Sequence, residues 1–178
     1  MTSPNHQSPR VDGVSRPQSG VANLLDFLVG IPVWLRALVP IVGMSVIWWS
    51  SSQIPGPEPQ STTQSFFHNL MHVVAYGCIA GSIWLAWSRR PVAALRLFRS
   101  RAAWGIAALY GVVDELHQSF VPGRVCSLAD LMSDALGAAL AVAILRGASG
   151  AAPQSGRIVV GLLLASFGSV AAATFANW

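Results

Sequence analysis

Long apolar stretches separated by short polar segments dominate the pattern along this chain. Five of them approach the roughly 20 residues that a helix needs to cross the hydrocarbon core of a bilayer. We therefore predict an all-α membrane helix bundle of about five spans, over 33–51, 66–87, 102–121, 127–145 and 158–175. A four-span alternative remains open, in which the last stretch lies flat or outside the core.

The segments outside these stretches are read differently. Residues 1–20 are polar, rich in Pro, Ser and Gly, and contain no apolar signal-peptide region, so we expect a disordered cytoplasmic tail. Residues 21–32 are apolar but too short to span a bilayer, and we predict an interfacial helix there. Four spans then form a membrane domain over 33–147, and 148–178 supplies a linker and the fifth span.

Composition and charge support this assignment and orient the spans. The chain is 53% hydrophobic and 10% charged, whereas about a quarter of the residues of a typical soluble domain are charged. Its eleven basic residues are all Arg, and five of them lie in the 89–101 loop. By the positive-inside rule this loop is cytoplasmic, which places both the N-terminus and every other arginine except Arg124 on the same side. The sequence shows no clustered basic face of the kind that binds nucleic acid, so we disfavour that function.

Four of the seven acidic residues fall between positions 114 and 134, inside or beside predicted spans. Ionisable side chains are costly in a membrane, so such a group is a functional-site hypothesis. The predicted orientation collects polar side chains from spans two, three and four near the outer face. We expect them to line a water-accessible cavity enclosed by these spans, with the candidate residues His68, His72, Tyr76, Asp114, Glu115, Gln118, Arg124, Asp130 and Asp134.

Several of these residues also have a purely structural interpretation. Ser127 and Asp130 fit a capping box at the start of span four, in which the Asp130 side chain returns a hydrogen bond to the cap backbone. Asp134 lies one turn deeper, where its charge needs compensation by Arg124, a histidine, a cation or protonation. The pairs Gly77 with Gly81 and Gly137 with Ala141 have the spacing that permits close helix contact.

The segments "SSSQIP", "HVVAY", "DELHQSFVPGR" and "SLADLMSDALGA" together resemble the VanZ family of bacterial membrane proteins. The resemblance covers about residues 50–141 and implies a multi-pass protein of the bacterial inner membrane with a cell-envelope role. The family takes its name from a protein linked to teicoplanin resistance, which implies glycopeptide tolerance as one setting. The chain departs from the family pattern in two places: many members carry Asn where this chain has Asp134, and many carry Lys or Asp-Lys before the histidine, where this chain has Asn69-Leu70-Met71.

Two classes of function fit these residues. In the first, the cavity binds a membrane lipid or a cell-wall precursor headgroup, with Arg124 meeting phosphate and the carboxylates meeting amines or a bridging cation. In the second, the site is an enzyme whose acid-base groups are among His72, Asp114, Glu115 and Asp134. A divalent cation held by His68, His72, Asp114 and Asp134 is a further alternative, although "HNLMH" lacks the glutamate of a zinc-protease helix. A channel is disfavoured because the inner halves of the spans offer no polar path.

Overall fold

The computed structural model describes residues 20–56, 61–87, 93–149 and 155–176. These segments are almost entirely helical and contain no strand. Their helices are α1 (Gly20–Gly30), α2 (Val33–Ser51), α3 (Thr62–Ala86), α4 (Ala93–Gln118), α5 (Leu128–Ala148) and α6 (Ser155–Ala176). Except for Gly20, the predicted tail lies outside the described residues, as do residues 150–154 of the predicted linker. The predicted all-α membrane helix bundle is confirmed.

Four of the described helices are long and apolar enough to cross a membrane: α2, α3, α5, and α6 over Gly156–Phe175. The remaining long helix, α4, has 26 residues, and at 1.5 Å per residue it is also long enough. Its composition is more polar because arginines lie in its first turns and Asp114, Glu115 and Gln118 lie in its last two turns. These last three side chains are almost completely buried, so the polarity at the end of α4 faces the interior of the bundle.

The last helix belongs to the packed bundle, contrary to the four-span alternative. α6 packs against α5 and α3, and its Val170 and Thr174 are buried. Asn69 Nδ2 of α3 donates a hydrogen bond to Thr174 Oγ1 at 3.2 Å, and the hydroxyls of Ser133 and Ser169 are 2.8 Å apart. α6 thus supports the two helices α3 and α5 from behind.

α3 and α5 approach each other closely where the two predicted small-residue motifs meet. A Cβ atom built on Gly137 would lie 2.2 Å from the Val73 carbonyl oxygen, and one built on Gly77 would lie 3.2 Å from the Gly137 carbonyl oxygen. The absence of side chains at these positions is what lets the two backbones approach. This contact fixes the register that brings His72 of α3 next to Asp134 of α5.

The bundle divides into an apolar half and a polar half. Its apolar core joins α3, α4 and α5 through Ile79, Ala80, Ile83, Ala103, Ala107, Ala138 and Val142. The polar half lies toward the start of α3, the end of α4 and the start of α5. There the chain turns between α4 and α5 at Gly123, whose φ of 80° favours glycine. The turn places the end of α4 beside the beginning of α5.

Candidate functional site

The centre of the polar half is a pair formed by His72 and Asp134. His72 Nδ1 lies 2.9 Å from Asp134 Oδ1, and the two side chains are 10% and 1% exposed. Of the partners considered for Asp134 from the sequence, the structure shows a histidine, His72, in contact with it. The second carboxylate oxygen, Asp134 Oδ2, is buried and has no hydrogen-bond partner among the described residues.

Asp114 is held on the other side of the site by neutral donors. Ser51 Oγ, at the end of α2, donates a hydrogen bond of 2.6 Å to Asp114 Oδ1. Gln118 Nε2, one turn along α4, donates to Asp114 Oδ2 at 3.0 Å. Ser51 lies in the segment "SSSQIP" but is not among the site residues predicted from the sequence. A serine at the end of an apolar span is ordinary, and only the fold reveals its buried carboxylate partner.

Glu115 points away from Asp114 and toward the start of α5. Its Oε2 accepts a hydrogen bond of 2.7 Å from the backbone N–H of Ser127, which is the N-cap residue of α5. The predicted capping box is therefore wrong in one half: Ser127 Oγ accepts from the Asp130 N–H at 3.3 Å, but Glu115 takes the place of the Asp130 side chain. Glu115 Oε1 is buried without a hydrogen-bond partner in the described part of the chain.

Tyr76 lies one turn below His72 on α3 and is 1% exposed. The two rings are nearly parallel, with centroids 6.3 Å apart. The Tyr76 hydroxyl has no hydrogen-bond partner within the described segments. Across from it, Gly111 of α4 leaves room for Asp134, since a Cβ atom there would lie 2.9 Å from Asp134 Oδ2. Tyr76, His72 and Asp134 thus share one compact buried region.

Arg124, one of the four partners considered for Asp134, instead binds backbone carbonyls at and just beyond the end of α2. Its Nε donates to the Gln53 carbonyl oxygen at 3.1 Å, and its Nη2 donates to the Ser50 carbonyl oxygen at 2.9 Å. Carbonyls at the C-terminal end of a helix lack partners within the helix. Arg124 binds one of these, that of Ser50, together with the Gln53 carbonyl just beyond α2, and is thereby fixed at the edge of the site.

These residues surround a cavity of about 240 Å³. The cavity walls come from α2, α3, α4 and Arg124, so the predicted enclosure by spans two, three and four needs correction: α2 replaces α5. Glu115, Asp130 and Asp134 lie behind or beside the cavity and do not line it. The lining residues are Val46, Ile47, Ser50, Ser51, His68, Met71, His72, Ala75, Tyr76, Asp114, Gln118 and Arg124.

The candidate cation ligands are grouped differently in the structure from the set predicted from the sequence. Potential ligand atoms lie within 4.8 Å of one another in two described groups. One is His68, His72 and Asp130, and the other is His72, Glu115 and Asp134. The predicted set of His68, His72, Asp114 and Asp134 is not brought together, because Asp114 belongs to neither group and His68 and Asp134 fall in different ones. Glu115 was missing from that set, since its direction on α4 could not be read from spacing.

Cys126 is the thiol of the loop between α4 and α5, and its side chain is exposed. Partial loss of water around the sulfur, together with the nearby Glu115 carboxylate, raises the pKa of the Cys126 thiol. Since the thiolate is the reactive form, this environment does not favour a nucleophilic role. Cys126 is instead a convenient probe for the loop that closes this end of the bundle.

Comparison with known proteins identifies the family. No match was found among curated proteins or among solved structures. A sequence model described as VanZ/LLP1 matches residues 12–149. This range covers most of the chain, and within it lie all the residues of the cavity and of the His72–Asp134 pair. The chain is therefore a membrane protein that belongs to the VanZ/LLP1 family.

Proposed function

We propose that the protein crosses the bacterial inner membrane several times and that its cavity binds the phosphate-bearing headgroup of an amphiphile. The amphiphile is a membrane lipid or a lipid-linked cell-wall precursor, and the setting is envelope maintenance or glycopeptide-type antibiotic tolerance. The observation that carries the proposal is the composition of the cavity wall. A fixed guanidinium and a buried carboxylate lie there among apolar side chains of membrane helices.

Arg124 supplies the phosphate-binding group. A guanidinium has five N–H donors, and the Gln53 and Ser50 carbonyls use two of them within the described structure, which leaves three for a ligand. Those two bonds also hold the planar group in one orientation, so that little side-chain freedom is lost when an anion binds. Fixed, bidentate recognition of phosphate is the task for which arginine is best suited.

Asp114 supplies the complementary acceptor. It lines the same cavity as Arg124, and Ser51 and Gln118 already orient its carboxylate. A headgroup that carries both phosphate and amine would place its anion at Arg124 and its cation near Asp114. This arrangement favours a zwitterionic headgroup over one that is only anionic.

The apolar part of the wall fits the tail of such a ligand. Val46 and Met71 line the cavity and are also more than half exposed on the outside of the bundle. Acyl or polyprenyl chains can therefore remain in the bilayer while the headgroup enters. A volume of about 240 Å³ is below the roughly 300–1,000 Å³ typical of sites that enclose a drug-sized ligand, which fits a headgroup rather than a whole amphiphile.

The test measures amphiphile retained by the full-length protein after purification in mild detergent. Native mass spectrometry and phosphorus analysis would compare the wild type with Arg124→Gln and with Arg157→Gln, an exposed arginine at the start of α6. We expect Arg124→Gln to reduce retained phosphate about tenfold and Arg157→Gln to leave it unchanged. Extraction and fragmentation then distinguish a phospholipid from a polyprenyl-linked precursor. Equal retention by both variants would overturn the proposal.

A second candidate function rests on the His72–Asp134 pair. A carboxylate that orients a histidine is a recurring feature of general acid-base catalysis, and His72 lines the cavity. An enzyme acting on the bound headgroup would then use His72 as its base. In this case Asp134→Asn would abolish release of water-soluble headgroup from phosphatidylethanolamine vesicles while retention of the lipid persists. Absence of any release by the wild type would leave binding as the function.

A further inference from the structure

A buried group of three side chains lies behind the cavity wall and is not explained by headgroup binding. His72, Glu115 and Asp134 come from α3, α4 and α5, and one potential ligand atom of each lies within 4.8 Å of the others. We infer that these three side chains bind one divalent transition-metal ion, with Zn²⁺ as the reference case. The inference goes beyond the proposed headgroup binding and does not depend on it.

The spacing of the donor atoms already suits a shared ion. Metal-to-ligand distances for Zn²⁺ are about 2.0–2.2 Å, so two ligand atoms at a tetrahedral angle on the same ion lie roughly 3.3–3.6 Å apart. His72 Nδ1 and Asp134 Oδ1 are 2.9 Å apart. An ion that replaced the proton between them would move these two atoms apart by about half an ångström.

The charge of the group is also unbalanced without an ion. Glu115 and Asp134 are 3% and 0% exposed, and His72 is the basic side chain bonded to one of them. The guanidinium of Arg124 is bonded instead to the Ser50 and Gln53 carbonyls, at and just beyond the end of α2. Buried charges in proteins are normally paired or coordinate metals. A divalent cation would balance both carboxylates at once.

Unsatisfied oxygens provide an independent indication of a missing partner. Glu115 Oε1 and Asp134 Oδ2 are buried, and neither has a hydrogen-bond partner among the described residues. Most buried polar side-chain atoms do have such a partner. The neighbouring Tyr76 hydroxyl is in the same condition. It could donate to water on the ion, because three protein ligands leave at least one coordination position open.

The ligand types and the space around them set the chemical class of the ion. Imidazole favours Zn²⁺, Fe²⁺ and related ions over Mg²⁺ and Ca²⁺, whereas carboxylates accept all of these ions. Gly111 has no side chain to compete for the space beside Asp134 Oδ2, where a Cβ atom would lie only 2.9 Å away. The site therefore combines a nitrogen ligand and two oxygen ligands from α3, α4 and α5, and α4 has no side chain at Gly111 that would crowd Asp134.

The outer group of His68, His72 and Asp130 is the weaker alternative. It shares His72 with the buried group, but His68 is exposed and Asp130 is partly exposed. Neither side chain has a buried atom without a partner in the described structure. Water can solvate these groups, so nothing in their environment requires an ion.

The experiment uses the full-length protein, purified in detergent with its affinity tag removed, and measures bound metal per chain after dialysis against Zn²⁺. Co²⁺ loading adds a spectroscopic readout, since visible absorption reports a low-coordinate site with nitrogen and oxygen ligands. The variants are Glu115→Gln and Asp134→Asn, with Asp130→Asn as the matched control. Circular dichroism verifies that each variant keeps its helices.

We expect about one Zn²⁺ per wild-type chain, at least a tenfold weaker affinity in Glu115→Gln and Asp134→Asn, and no change in Asp130→Asn. A wild-type protein that binds no Zn²⁺ or Co²⁺ would overturn the inference. It would equally be overturned if Asp130→Asn lost the ion while Glu115→Gln retained it, because the outer group would then be the ligand set. The Arg124→Gln variant distinguishes metal binding from headgroup binding. It should lose the retained headgroup but still bind the metal ion.

Discussion

Ser51 Oγ donates a hydrogen bond of 2.6 Å to the buried carboxylate of Asp114, joining the end of α2 to the end of α4. This bond connects the first membrane helix to the polar half of the bundle. Ser51 and Asp114 both line the cavity, so the bond joins two of its walls. It also gives a hydrogen-bond partner to a carboxyl group that is only 1% exposed.

The first prediction concerns this bond. Replacing Ser51 by Ala removes a donor from a buried carboxylate, and hydrogen bonds to charged groups contribute about 1.5–3 kcal/mol. We expect the free energy of unfolding in mixed micelles to fall by about that amount. Ser45→Ala is the matched control in the same helix, because Ser45 is exposed and bonds only to the Ile41 carbonyl one turn away. Equal effects of the two substitutions would show that the Ser51–Asp114 bond has no special role.

A second prediction concerns the close approach of α3 and α5. In Gly137→Ala the new methyl group would lie 2.2 Å from the Val73 carbonyl oxygen and 2.7 Å from the Val73 Cα. Both are backbone atoms, so the helices must separate. The loss of stability should reach about 3 kcal/mol, the upper end of the usual cost of overpacking.

Gly168→Ala in α6 is the control for this effect, since nothing lies within 4 Å of a Cβ atom at that position. Alanine in a helix interior is favoured over glycine by about 0.5–1 kcal/mol, so this variant should be neutral or slightly more stable. Thermal unfolding in the same detergent compares the two. A Gly137→Ala protein as stable as Gly168→Ala would contradict the observed helix contact.

Part of this architecture could be predicted from sequence, for identifiable reasons. The apolar stretch beginning at Val33 coincides with α2, because a bilayer imposes both length and composition on a spanning helix. The spacing of Gly77 and Gly137 indicated close helix contact, since only small residues permit it. α4 begins nine residues earlier than predicted, at Ala93. Its arginine-rich first turns lack the apolar signal, although nothing prevents them from being helical.

The partners of the polar side chains could not be predicted in the same way. Spacing indicated that His72 and Asp134 were deep, but their contact depends on the α3–α5 register. Ser51 gives no local signal of its role, because its partner lies 63 positions away. Arg124 was one of four partners considered for Asp134, whereas it binds the Ser50 and Gln53 carbonyls. These contacts depend on how the helices pack in three dimensions, and the spacing of residues in a single sequence does not specify that packing.

A third prediction concerns orientation and uses Cys126. In a Cys78→Ser background, a membrane-impermeant maleimide should label Cys126 in intact cells, because the positive-inside rule places its loop outside. The control moves the thiol to the opposite end of α5 with Cys126→Ser and Ser149→Cys, and should react only after permeabilisation. Protection of Cys126 together with labelling at position 149 in intact cells would invert the orientation.

The pH dependence of the same reaction tests the surroundings of Cys126. Partial loss of water and the nearby Glu115 carboxylate raise the pKa of this thiol, so a smaller fraction is thiolate at neutral pH than for a free cysteine. The labelling rate should therefore be slower than that of free cysteine at pH 7 and increase steeply toward pH 9. In Glu115→Gln the rate at pH 7 should increase. A rate at pH 7 equal to that of free cysteine would contradict this environment.

The central claim, headgroup binding in the cavity, is tested most directly by filling the cavity without changing any charge. Ala75 lines it, whereas its neighbour Val74 is exposed on the outer side of the same helix. The measurement is phosphate retained per chain for Ala75→Phe and Val74→Phe, both verified as folded by circular dichroism. We predict that Ala75→Phe loses the retained amphiphile and Val74→Phe keeps it. Wild-type retention by Ala75→Phe would contradict the account.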